Sequence, residues 1–147
     1  MKSTPLATLS KNIFLSVFVI LLMFSLTSCV TKAKFETSSV VPAAQGTVKV
    51  KKDNNKNHAI HIEISNLAES ERLTPSKKTY VVWLVSDQNE TKNLGQFNSS
   101  SGTFSSKLKA SFKTVTSNKP TKIFITAEDD ATVQYPGGVV VLTTERF

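Results

Sequence analysis

Few residues in this 147-residue chain have the types and spacing that chemistry needs. It holds a single cysteine, Cys29, so no intrachain disulfide can form. Its two histidines, His58 and His61, lie three apart in a run that alternates with period two (HAIHIEI). They therefore point to opposite faces of a strand and cannot share one metal ion. They read as an exposed strand-start histidine and a surface histidine. No Gly-x-Ser-x-Gly elbow stands ready to pair a serine with either of them in a Ser-His-Asp hydrolase. Glu128-Asp129-Asp130 is the acidic cluster. Hard cations want six to eight converging oxygens, and three adjacent carboxylates diverge. The cluster reads as an acidic loop, with weak Ca²⁺ binding as its only chemical use. Tyr80 and Trp83 sit in the most apolar run of the chain, where they serve either as core or as a platform for a sugar ring. The chain is expected not to be an enzyme, and it implies no cofactor.

The cysteine is the exception, because of what precedes it. Lys2 and Lys11 make a positive start, and residues 13–26 (IFLSVFVILLMFSL) form fourteen uncharged, mostly apolar residues. That is short of the roughly 20 residues a membrane span wants and fits the apolar part of an export signal. Leu26-Thr27-Ser28-Cys29 then resembles the lipobox of bacterial lipoproteins. In that motif a branched apolar residue stands three before an obligatory cysteine, with small residues between. The resemblance implies cleavage between Ser28 and Cys29, removal of the leader 1–28, and a lipidated Cys29 as the first mature residue. The acyl chains, at about 0.8 kcal/mol per buried CH₂, would make membrane attachment permanent. Val30 follows Cys29 where an aspartate marks inner-membrane retention in enteric bacteria, so the periplasmic face of the outer membrane is the expected location.

Without Lys2 and Lys11 the chain keeps 16 basic against 11 acidic residues, a net +5. The surplus is mostly scattered lysine. No Arg-rich run or interleaved aromatic platform points to nucleic acid. Solvated strand faces, or attraction to anionic lipid and envelope glycans, account for it.

Elements must position these residues. Residues 30–46 (VTKAKFETSSVVPAAQG) have the small, polar, Pro-containing look of a tether, so the folded domain is expected over 47–147. Within it, period-two alternation predicts seven strands, at 47–52, 59–64, 79–86, 92–98, 103–112, 121–127 and 139–144. Residues 79–86 are apolar on both faces, the mark of a central strand. Gly95 is a candidate bulge, and 67–73 allow a helical turn or two. Between the strands lie turn-forming clusters such as 53–55, 99–102 and 136–138. This pattern predicts an all-β fold, a seven-stranded antiparallel immunoglobulin-like β-sandwich. A transmembrane barrel is disfavoured by short strands that alternate with lysine.

Tyr80-x-x-Trp83, Leu94-Gly95-x-Phe97, Ala127-Glu128 and Pro136-Gly137-Gly138 before an apolar strand together resemble the extracytoplasmic C-terminal domain of anti-sigma-K factors. The resemblance spans about 60–142 and implies the sandwich fold. The cytoplasmic helical domain with which that family binds its sigma factor has no counterpart here, so sigma-factor binding is not implied. The expected function is a lipid-anchored, non-enzymatic interaction module that docks or senses an envelope protein partner. A carbohydrate- or small-ligand-binding sandwich is the alternative.

Overall fold

The computed structural model describes residues 30–97, 100–101 and 108–147. Alternating apolar residues build two antiparallel sheets whose apolar faces meet. Nine strands are assigned among the described residues: β1 Val30–Lys34, β2 Gln45–Lys52, β3 His58–Ser65, β4 Thr79–Ser86, β5 Thr91–Phe97, the two-residue β6 Ser100–Ser101, β7 Leu108–Thr116, β8 Pro120–Glu128 and β9 Val139–Thr143. The first sheet runs β1-β2-β3-β7-β6 and the second β5-β4-β8-β9. Between β3 and β4 lies one 3-10 turn, Ser70–Arg72.

Register puts the expected residues on the facing surfaces. In the first sheet Ala33, Val48, Ile62 and Phe112 lie in one cross-strand row, and Thr31, Val50, Ile60 and Thr114 in the next. In the second sheet Tyr80, Val82 and Leu84 of β4 pair with Ala127, Ile125 and Ile123 of β8. The apolar residues of these rows, with Leu142, form the inter-sheet core, and Thr31 and Thr114 lie at its margin. Each buried Ile, Leu or Val contributes roughly 1.5–3 kcal/mol. Gly95 adopts φ +129°, and the β4–β5 register slips there, so the expected bulge is present.

Two expectations change. The stretch 30–46 is not a tether but part of the fold. Its first five residues pair with β2 along their whole length, from Val30 opposite Lys51 to Lys34 opposite Thr47. Phe35 then bridges to Thr144, and the Glu36 N–H donates to the Thr143 carbonyl at 2.8 Å, so the segment ties the first sheet to β9 of the second. Val41 and Ala44 are buried in the core, and the Ser38 hydroxyl accepts the Val41 N–H at 2.9 Å. An edge strand needs only backbone partners on one side, so a composition poor in large apolar residues does not prevent pairing. The domain boundary therefore moves from 47 to 30. The strand count changes too: β1 and β6 stand beyond the expected seven. The strand expected at 103–112 is described from Leu108 and runs on to Thr116; its start lies outside the described residues.

Candidate functional site

Leu26, Ser28 and Cys29, with the whole leader, lie outside the described residues. The described fold begins at the very next residue, Val30.

His61 lies on the outer face of β3, with Nε2 3.7 Å from Glu63 Oε1. His58 shares the inward parity of Ile60 and is half-buried, not exposed as expected. Its Nδ1 is shielded with no hydrogen-bond partner. The two histidines point apart, as their spacing requires. Among the described residues no group of three His, Cys, Asp or Glu converges on a metal position.

The acidic cluster also disperses, and each carboxylate has its own partner. Asp129 pairs with Lys77 at 2.6 Å. Asp130 accepts the N–H and hydroxyl of Thr132, both at 2.8 Å, and the backbone bond holds its carboxyl below the usual range. Glu128 is 5% exposed, and its Oε1 accepts three hydrogen bonds: from the Thr126 hydroxyl at 2.6 Å, Gly137 N–H at 3.1 Å and Gly138 N–H at 2.9 Å. Gly138 must be glycine, because a Cβ there would lie 1.9 Å from the Ala127 carbonyl oxygen.

This latch continues to the aromatic pair. The Trp83 indole N–H donates to Thr126 Oγ1 at 2.8 Å, so one chain of hydrogen bonds runs from Trp83 through Thr126 and Glu128 to the 137–138 turn. Trp83 is fully buried but does not lie between the sheets, as a sandwich tryptophan is expected to. It has the opposite parity to Tyr80, Val82 and Leu84, and stacks on Phe124, its cross-strand partner on β8, at 6.2 Å. It occupies the outer face of the second sheet, beneath the 129–138 loop. That loop leaves β8, crosses to β5, where Asn93 Nδ2 donates to the carbonyls of Ala131 and Val133 at 2.9 Å, and returns to β9. The Gly95 bulge sets this reach, since Asn93 Oδ1 also accepts the Gly95 N–H at 2.8 Å. Tyr80, in the inter-sheet core, donates to the Ala68 carbonyl at 2.8 Å, and burial pushes its hydroxyl up to about 12. Both aromatics proposed for sugar stacking are thus enclosed by their own chain.

The outer face of the first sheet is built differently. Cross-strand rows place Lys32, Lys49, His61 and Lys113 side by side across four strands. The neighbouring rows hold Val30, Lys51, Ala59 and Val115 on one side and Lys34, Thr47, Glu63 and Ser111 on the other; Lys109 follows opposite Ser65. Six lysines thus share the described part of this face with one carboxylate. Glu63 is held below the usual range by its hydrogen bond to Lys49 at 3.3 Å, with His61 and Lys113 adding to the field. An open groove of about 1070 Å³ borders this face, lined by Phe35, Glu36, Gln45, Glu63 and Lys109 among others. Sequence reading missed this face, because its lysines come from three strands, β1, β2 and β7, that only the register brings together.

Compared with protein-family models, with curated proteins and with solved structures, the chain shows no match.

Proposed function

We propose that the protein is a lipid-anchored bacterial envelope protein and a non-enzymatic interaction module, carried on Cys29 at the periplasmic face of the outer membrane. The observation that carries this reading is the placement of the lone cysteine, which closes an apolar leader and immediately precedes the first residue of β1. On this reading the domain sits directly on its anchor, with no spacer. The strand order, β1-β2-β3-β7 against β5-β4-β8-β9, supports an immunoglobulin-like topology. The hydrogen-bonded chain from Trp83 through Glu128 to Gly138 joins several of the residues that carry the anti-sigma-K-like resemblance, which supports a shared structural core.

An envelope protein partner has a surface to meet on β9. That strand ends the second sheet, with Val139 41% and Val140 46% exposed beside Tyr135 at 82%. The 35–36 segment pairs with the end of this edge at 143–144, which leaves the Val139–Val140 part, and edges with exposed apolar residues favour protein contact. The alternative of carbohydrate binding loses Trp83 and Tyr80 as platforms, since both are fully buried.

Labelled palmitate should enter the wild-type protein in cells and not Cys29→Ala; label in the variant refutes the anchor. A photocrosslinking residue at Tyr135 should capture an envelope protein in intact cells, whereas one at exposed Glu71 should not. Equal yields from the two positions would remove β9 as the docking edge.

A further inference from the structure

We infer that the outer face of the β1-β2-β3-β7 sheet is a membrane-docking surface, which lays the domain on the anionic leaflet that holds its anchor. The inference rests on the proposed lipidation of Cys29 for its location, but not for its chemistry. Three observations lead to it.

The first is charge. Lys32 lies directly opposite Lys49, which lies opposite His61, which lies opposite Lys113. Like charges in directly opposed cross-strand positions, as Lys32 and Lys49 are, destabilise a sheet. Glu63 answers Lys49 at 3.3 Å, yet Lys32, Lys34, Lys51, Lys109 and Lys113 have no carboxylate within ion-pair distance among the described residues. An anionic plane supplies the missing counter-charge to all of them together.

The second is a row with apolar ends. Val30 is 41% and Val115 63% exposed, and they stand at the two ends of one cross-strand row, Val30-Lys51-Ala59-Val115. A few exposed apolar side chains rimmed by lysines fit the headgroup boundary, where aliphatic groups enter and ammonium groups meet phosphates.

The third is position. Val30, at the β1 end of that row, directly follows residue 29, so a lipid on Cys29 would enter the bilayer next to this row. Juxtamembrane lysines act on anionic lipid only within about a Debye length, roughly 10 Å at 0.1 M salt. The lysine nearest the anchor along β1, Lys32, is three residues from it.

The test uses the full-length protein purified from membranes and mixed with vesicles of phosphatidylcholine alone, or of phosphatidylcholine with 30% phosphatidylglycerol. Lysine acetylation rates are read residue by residue by mass spectrometry, with exposed Lys78 and Lys92 as internal references. Docking predicts that Lys32, Lys49, Lys51 and Lys113 react about tenfold more slowly on anionic than on neutral vesicles, and that 1 M salt erases the difference. Lys32→Gln with Lys113→Gln should keep the wild-type circular dichroism and lose most of the protection at the remaining lysines. Sedimentation separates this inference from the anchor. Binding to both vesicle types with protection only on the anionic ones supports docking and anchor together. Binding only to anionic vesicles, with protection, supports docking while the anchor fails. Binding to both with equal acetylation throughout overturns docking while the anchor stands. Protection by a soluble acidic polysaccharide and not by anionic vesicles also overturns it, in favour of a glycan.

Discussion

The two sheets share a core but treat their outer faces in opposite ways. The second sheet carries Val81, Trp83, Phe124 and Thr126 outward, a surface too apolar to leave in water, and the chain covers it with its own 129–138 loop. The first sheet carries Lys32, Lys49, His61 and Lys113 outward. An apolar outer face is answered within the molecule, where hydrogen bonds from Thr126, Gly137 and Gly138 to Glu128 fix the cover in one position. On the first sheet the described residues place one carboxylate, Glu63, among six lysines, and it pairs with Lys49 alone among them. The fold thus closes one side with its own chain, and on the other it presents lysines drawn together by register.

Removing the ring beneath the loop should break this contrast most severely. Trp83→Ala deletes a fully buried indole, its stack on Phe124 and its hydrogen bond to Thr126. We expect a loss of about 3–5 kcal/mol in urea unfolding followed by far-UV circular dichroism. A loss below about 1 kcal/mol would mean that the covered face contributes little and that only the inter-sheet core matters. Gly138→Ala comes next. It keeps the ring and attacks the cover, since its Cβ would meet the Ala127 carbonyl oxygen at 1.9 Å. The expected cost is about 1–3 kcal/mol. Acrylamide, which should reach the single tryptophan of the wild type far less readily than free indole, should quench it faster in this variant. Unchanged quenching would show that the 137–138 turn does not hold the loop down.

The sequence displays the strands of this contrast more readily than the faces. Alternation at 47–52 and 59–64 names the inward residues correctly, because one side of each run is plainly polar. In β4 both sides are apolar, and alternation cannot say which of them meets the other sheet. Trp83 is therefore legible as buried but not as outward. Thr126, a polar residue at 0% exposure inside an otherwise apolar run, is the local sign that something covers this side. β1 escapes notice because an edge strand is specified mostly by backbone pairing with residues that come later in the chain. The lysine face escapes for a related reason: each segment shows two or three solvated lysines, and only long-range register adds them into one field.

The lysine row of the first sheet should respond least to substitution. Lys32→Gln with Lys113→Gln removes two ammonium groups from the row that holds Lys49 and His61. Exposed ion pairs and surface substitutions change stability by only a few tenths of a kcal/mol, so the double variant should stay within about ±0.5 kcal/mol of wild type. The sign carries the information. Because the deleted groups repel their neighbours, the change should be toward greater stability at low salt, and it should vanish near 1 M salt, where the Debye length falls to about 3 Å. Glu63 supplies an internal control: with fewer cations around it, its carboxyl should titrate closer to the ordinary value, measurable by carboxyl-carbon NMR. A double variant that is less stable at low salt would mean that these lysines are already satisfied within the fold, and the need for an external counter-charge would disappear. A gain that salt removes would leave the row as a cost of folding that an anionic surface can offset.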